Sequence, residues 1–336
     1  MRIVFDLSTP KQVTFFKPMI SRLKEKGCAI SVVTRDYKEL NLLIKNFCID
    51  AKVLGKHGGT TLLGKLKSYS ERVRLLADYF GRIAPDVVVT LSTAESSRAA
   101  FGLNIPIVCF NDFPESELVG KLTLPLASRL CAPWIIPQKE YLKYGVSPDK
   151  IFYYNALDPV IWLKDYNVDR SYLDRLKIDS QKPVIVCRET EWQSAYVSTD
   201  LIGKVVEELK HKHRAWQIIN IPRYRTHRFY DTPSLLANAN LFIGGGGTMC
   251  IEAAYYGTPV IATRSIECHY MKWLFEKGLS VQSSTVANCV EKAEEIIYQW
   301  TNGNEEMQRK KAGKIFEIME FPLEKITNLI IDTAKT

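Results

Sequence analysis

Reading apolar and polar positions along the chain reveals two successive series of alternating elements. Runs that are apolar at nearly every position, such as DVVVTL (86–91) and PVIVC (183–187), predict strands covered on both faces. Between them lie stretches in which apolar residues recur every three or four positions, the pattern of an amphipathic helix. In the first half the expected strands are 2–6, 29–34, 51–54, 86–91 and 105–110. The expected helices are 14–26, ended by Gly27; 37–46; 62–83, stopped before Pro85; and 94–101.

A polar linker, 164–182, separates this series from a second one with the same plan. Strands are expected at 183–187 and 216–221, and helices at 201–211 and 235–238. Then comes NLFIGGGGTMCIEAAYYGTPVIA (240–262), which reads as strand, glycine loop, helix and strand. Helices at 288–299, 310–319 and 323–334 close the chain. Alternation with buried strands predicts an α/β protein with doubly wound parallel sheets. Its 336 residues exceed one typical domain and suit two. The expected division is 1–157 and 158–320, two Rossmann-like domains whose parallel sheets face each other across a cleft. A C-terminal helix, 321–336, is a candidate to cross back to the first domain.

Composition narrows the class. The chain is 46% apolar and 24% charged, an ordinary globular balance, and no apolar run approaches the roughly 20 residues that span a bilayer. The start, MRIVFDLSTP, turns polar after Phe5 and reads as a first strand, not a signal peptide. The cysteines Cys28, Cys48, Cys109, Cys131, Cys187, Cys250, Cys268 and Cys289 are scattered with no C-x-x-C spacing, so neither a zinc site nor a disulfide framework is indicated. A reducing, cytoplasmic setting is expected. Charge is asymmetric: residues 1–157 hold 22 Lys/Arg against 14 Asp/Glu, an excess of eight, whereas 158–336 hold 23 of each. That asymmetry points to an anionic partner for the first half, with solubility as the plain alternative. No RRM, KH or helix-turn-helix signature occurs, and no Arg-rich tract carries stacking aromatics, so nucleic acid is not the expected partner.

The glycine loop carries the most specific chemistry. Gly244–Gly247 leave an apolar strand, and Thr248 is the expected N-cap of the helix running through Glu252 and Ala254. Gly257 ends that helix. A loop of this kind offers free backbone N–H groups and the positive end of a helix dipole to a phosphate. The competing reading is a tight strand-to-helix turn with no ligand.

Together, the two α/β halves and this loop resemble the GT-B fold of nucleotide-sugar enzymes. More narrowly, MRIVFDLSTPKQVTFFKPMISRLKEKG, the RET beginning at Arg188, IPRYR from Ile221 and GGGGTMCIEAAYYGTPV resemble the family called domain of unknown function 354. The resemblance covers essentially the whole chain and implies kinship with glycosyltransferases and UDP-N-acetylglucosamine 2-epimerases. It implies that Gly245, Gly246, Gly247 and Thr248 meet a diphosphate and that Glu252 accepts hydrogen bonds from ribose hydroxyls. Arg188 and Arg223, at the ends of successive strands, are the expected diphosphate forks, with surface ion pairing as their alternative. Arg264 is a further candidate; Arg225, His227 and Arg228 read as loop charges. No cofactor or metal is expected, the nucleotide sugar being substrate.

Sugar transfer needs a base for the acceptor hydroxyl and stabilisation of the leaving diphosphate. Many GT-B enzymes with lipid acceptors place a histidine after the first strand, where this chain reads DLSTPKQVTFF. Asp112 and Glu115 in FNDFPESE are the expected replacements, with helix capping as their alternative and Glu95 as a weaker choice. Lys11 and Gln12 are expected to contact the acceptor or its phosphate. The 2-epimerases would place a catalytic aspartate near Ser92 and a glutamate near Asn111 and Asp112, so their acid/base set is incomplete here. Transfer from a nucleotide diphosphate sugar, a UDP-sugar in preference, to a hydroxyl or lipid-linked acceptor is therefore the leading expectation. An epimerase-like reaction and a non-catalytic binding scaffold are the alternatives. Finally, KVLGKHGGTTLLGKLKSYSERVR (52–74) interleaves basic residues with leucines, which fits either peripheral contact with an anionic membrane or a helix whose leucines pack inward.

Overall fold

The computed structural model describes residues 1–189, 201–223, 228–263 and 268–335. They form two compact units, Met1–Trp162 together with the segment from Glu320 onward, and Leu163–Met319. The break falls a few residues past 157, which leaves Asp158 in the first unit.

The first unit is built on seven parallel strands: β1 (Arg2–Leu7), β2 (Ala29–Asp36), β3 (Lys52–Lys56), β4 (Val87–Thr90), β5 (Ile107–Phe110), β6 (Arg129–Pro133) and β7 (Ile151–Tyr154). Their order is β3-β2-β1-β4-β5-β6-β7. The direction of winding reverses between β1 and β4, where Val4 pairs with Ser31 on one side and with Val88 on the other. The strands β4 and β5 are buried at every position, as continuous apolar runs require in a sheet covered on both faces. The sequence pattern missed β6 and β7. RLCAP has only a short apolar centre, and IFYY is half-buried at the sheet edge, so neither shows a clean period.

The helix after β1 runs Pro10–Glu25 and so begins before residue 14, with Pro10 supplying a pre-set first turn. Its aromatic face packs Phe15 and Phe16 edge-on against Phe110. The C-terminal helix Leu323–Thr333 buries Ile326 and Ile330 and ties Glu324 to Arg22 at 2.9 Å and to Lys26.

Among the described residues the second unit has five parallel strands, β8 (Val184–Arg188), β9 (Gln217–Ile221), β10 (Leu241–Gly244), β11 (Val260–Ala262) and β12 (Val281–Gln282), in the order β12-β11-β10-β8-β9. Here winding reverses between β8 and β10. Ile185, Cys187, Leu241 and Ile243 share a core with Ile202, Val205 and Leu209 of the helix Leu201–Lys212 and with Cys289 and Ala293 of the helix Val286–Gln299. By strand alternation, Arg188 turns to the opposite face. The two-residue β12 was also missed, being too short to show a pattern.

Candidate functional site

In parallel sheets ligands meet the carboxyl ends of strands where winding reverses, and both such edges bring together residues that are remote in sequence. At the β1/β4 edge of the first unit, Gln12 is buried, and its amide is engaged at both ends. Its Oε1 accepts from Ser8 N and from Thr9 N at 2.9 Å, while its Nε2 donates to Leu91 O and Thr93 Oγ1, both at 3.0 Å. That uses both donors and both lone-pair directions of the group. The expectation that Gln12 contacts an acceptor therefore gives way to a different role, clamping the loop after β1 to the loop after β4.

Lys11, one residue earlier, reaches across the edge to two carboxylates, Asp112 at 2.5 Å and Asp158 at 2.7 Å. Burial pushes the Lys11 ammonium down, but the two carboxylates outweigh it and hold its pKa above the ordinary lysine value. Asp158 is 1% exposed and its Oδ1 accepts from Tyr154 Oη at 2.6 Å. Burial raises the Asp158 carboxyl above its usual range despite Lys11, with the charge of Asp112 adding to the rise. The division expected at 157 had set Asp158 apart from this group. Its signal was an aspartate directly after the apolar stretch that follows β7.

The loop carrying Asp112 and Glu115 is strapped from outside. Tyr141 Oη donates to Asn111 O at 2.8 Å and Tyr144 Oη donates to Pro114 O at 2.6 Å. Burial drives the Tyr141 hydroxyl pKa well up, and Asp112, Asp158 and Glu115 all add to that rise. Asp112 and Asp158 meet on Lys11, and Glu115 lies on the same loop as Asp112. Glu115 is half-buried ahead of the helix Glu117–Thr123. Near the positions that the epimerase resemblance assigns to acids, Asn111 Nδ2 donates to Ser92 Oγ at 2.9 Å and Ser92 Oγ donates to Phe110 O at 2.8 Å, which leaves Asp112 as the carboxylate there.

A second charge cluster lies beneath this edge. Arg72, fully buried on the helix Leu62–Ile83, forms two bonds with Asp6 at 3.0 and 2.6 Å and donates to Leu54 O at 3.1 Å. Glu95 sits 3.9 Å from both Arg72 and Arg35. Nothing in the helical pattern of the sequence marked Arg72 as interior. Its guanidinium is admitted because Asp6 satisfies it with matched geometry.

The β8/β10 edge of the second unit is built differently. Gly244 ends β10, and a Cβ there would lie 2.7 Å from the Phe242 ring, so this glycine is required by the fold itself. Gly247 adopts φ 137°, ψ −165°, a region open essentially to glycine alone. It is the N-cap of the helix Thr248–Tyr255, so Thr248 is the first helical residue, not the cap. Gly245, Gly246, Gly247 and Thr248 are all half-buried at this edge. Glu252 lies one turn further along and is only 4% exposed, which is not the solvated helix position its polarity suggests. Burial, with the charge of Glu252 adding, raises the neighbouring Tyr256 hydroxyl far above its usual value.

Arg188 ends β8 and Arg223 follows β9, and the two strands are joined edge to edge there. Arg188 Nη1 donates to Pro222 O at 2.6 Å; Arg223 Nε donates to Glu189 O at 3.0 Å, while its backbone N donates to Glu189 Oε2 at 2.9 Å. These bonds set the direction of both forks. Arg228 lies over the Tyr230 ring at 5.4 Å. Arg225, His227 and Arg264 fall outside the described residues.

Comparison with solved structures places this architecture. UDP-GlcNAc 2-epimerase from Neisseria meningitidis, bound to UDP-GlcNAc, is similar with a TM-score of 0.74 at 16% identity, covering 99% of each chain. The S. aureus MnaA-UDP structure has a TM-score of 0.75 at 17% identity, covering 99% of this chain and 97% of that one. The spinosyn forosaminyltransferase SpnP has a TM-score of 0.64 at 15% identity over 99% of both. Such identities show a shared fold, and the fold class is GT-B. In sequence, an uncharacterized protein of Methanocaldococcus jannaschii is 29% identical over 312 residues, 87% of this chain and 90% of the relative. Because residues 1–330 match the model of the family described as protein of unknown function (DUF354), nearly the full length of the chain, this protein belongs to the DUF354 family.

Proposed function

We propose that this protein binds a nucleoside-diphosphate sugar, by preference a UDP-sugar, through its second unit and transfers the sugar to a hydroxyl acceptor activated on its first. The observation that carries the donor half is the loop Gly244–Gly247, in which Gly246 and Gly247 take positive φ and deliver the chain into a helix N-terminus at the switch point. Backbone N–H groups and the helix dipole there match a diphosphate without a cation. As the sugar leaves, charge develops on that diphosphate, and fixed dipoles stabilise it with little reorganisation. Arg188 and Arg223 supply planar donor forks for the same oxygens. Glu252, set back by one turn, accepts from the ribose diol and so avoids repelling the phosphates. Proteins of like fold bound to UDP and UDP-GlcNAc favour uridine.

On the acceptor side Asp112 is the base. Its side chain is 18% exposed, whereas Asp158, at 1%, is engaged by Lys11 and the Tyr154 hydroxyl and acts by positioning Lys11. Glu115 is the alternative base on the same loop. The likeness of fold to 2-epimerases favours an epimerase-like reaction as the second reading, but with Ser92 near the first acid position only Asp112, near the second, is left to serve it, so the acid/base set is incomplete.

Calorimetric titration with UDP, GDP, CDP, dTDP and UDP-GlcNAc tests the donor site. One nucleotide is expected to bind, and Glu252→Ala or Glu252→Gln to weaken it about 10- to 100-fold, the range for a hydrogen bond to a charged group. Failure of every nucleotide to bind the folded protein would end this reading. Asp112→Asn is expected to leave nucleotide affinity unchanged while lowering turnover about 10²- to 10⁴-fold.

A further inference from the structure

The helix Leu62–Ile83 starts with an apolar tip that the fold does not use. Leu62, Leu63 and Leu66 are 80%, 62% and 61% exposed, although the leucine pattern alone allowed them to face the core. Their spacing places them together on the first turn and a half. The buried residues of this helix are Arg72, Leu76 and Phe80, all further along. Thr61 caps the helix by accepting from Gly64 N at 3.0 Å, so the exposed turn is formed and not frayed.

Along the chain through the tip the charge is of one sign, with Asp36 of the neighbouring strand in register with Lys56. From Lys52 to Ser70 the chain carries Lys52, Lys56, Lys65, Lys67 and His57, and no acidic residue. Ser68 Oγ donates to Lys56 O, which holds the end of β3 against the second turn of the helix. Lys56 and Lys67 are exposed and Lys65 is half-buried. The first acidic residue, Glu71, is paired with Arg74 at 2.8 Å. The whole first half shares the sign, with its excess of eight positive charges.

From this tip we infer a docking surface for an anionic lipid bilayer: the three leucines enter the boundary between headgroups and acyl chains, and the lysines meet lipid phosphates. Leucines in one compact group suit a shallow apolar layer, and a basic flanking segment suits an anionic surface. The inference stands independently of the nucleotide site.

The test is co-sedimentation of the full chain with vesicles of phosphatidylcholine alone or mixed with phosphatidylglycerol. Wild type is expected to bind the mixed vesicles, less so at high salt, and to bind phosphatidylcholine weakly. Burial of one leucine corresponds to about a tenfold change in partition, so Leu62→Ser/Leu63→Ser/Leu66→Ser together should lower binding by about 100-fold or more. Lys65→Glu/Lys67→Glu should lower it by about tenfold or more. These substitutions lie at exposed or half-exposed positions, and an unchanged circular dichroism spectrum and thermal midpoint would verify folding. Wild type failing to bind the mixed vesicles would overturn the inference, as would a serine triple variant that binds like wild type. A leucine-dependent dimer in sedimentation velocity, with no vesicle binding, would assign the tip to self-association and overturn it equally.

Discussion

At the switch between β1 and β4 the first unit gathers side-chain charge: Lys11 between Asp112 and Asp158, and Arg72 on Asp6 beneath them. At the corresponding switch between β8 and β10 the second unit presents backbone, a glycine loop at a helix start, with arginine forks beside it. The same topology is thus finished in two ways. Backbone donors and a helix dipole are fixed in place, need no desolvated partner and suit a charged group common to many ligands. The charged side chains are held by one another and by neighbours such as the Tyr154 hydroxyl and Leu54 O, an arrangement that suits proton transfer. The contrast teaches that a switch point supplies a location, and that local residue choice decides whether backbone donors or side-chain charges are presented there.

The comparison breaks most sharply at Arg72. Arg72→Ala leaves Asp6 buried with its charge unmatched and should destabilise the protein by about 3–5 kcal/mol in urea denaturation. Asp6→Asn combined with Arg72→Met should recover much of that loss, because no buried charge remains; a double variant no more stable than the single would refute the ion-pair account. In the second unit, Gly247→Ala forces a Cβ into a glycine-only conformation and should cost about 1–3 kcal/mol. It should also weaken nucleotide binding, whereas substitutions around Lys11 should not. A variant as stable as wild type would show that the loop backbone is not constrained as described.

The smallest expected effect concerns pH. Burial holds the Asp158 carboxyl above its usual range, so the folded state binds this proton more tightly than the unfolded state does. Its stabilising contribution is therefore present in acid and is lost as pH rises through the raised value. Asp158→Asn keeps an acceptor for Tyr154 and carries no charge, so it should match wild type in acid and gain on it as pH approaches neutral. Thermal denaturation across that window checks the sign, and a constant difference would refute it. Asp158→Ala instead strands the Tyr154 hydroxyl and should be less stable by about 1–3 kcal/mol.

Much of this was legible in the chain. The continuous apolar runs of β4, β5, β8 and β10 specify covered parallel strands wherever they occur, because such a run can be buried only between two layers. The glycines before Thr248 announced a special backbone, since the preference is local. Candidates such as Asp112 and Arg188 stood out by following buried strands. Other features carried no local mark. β6, β7 and β12 are short and exist because neighbouring strands pair with them. Gln12, Arg72 and Asp158 look like ordinary polar residues until the fold brings up the groups that engage them.

The sequence by itself determined where most of the strands and the longer helices form, that they build two parallel α/β units, and that a glycine-rich loop opens one helix, because periodicity and backbone preference act over a few residues. Only the tertiary structure decided that Gln12 is a clamp, that Asp158 joins Asp112 on Lys11, that Arg72 is interior and that three leucines stand outside. Each of those outcomes depends on pairing, burial or exposure created by chain segments far apart in sequence, which no local pattern records.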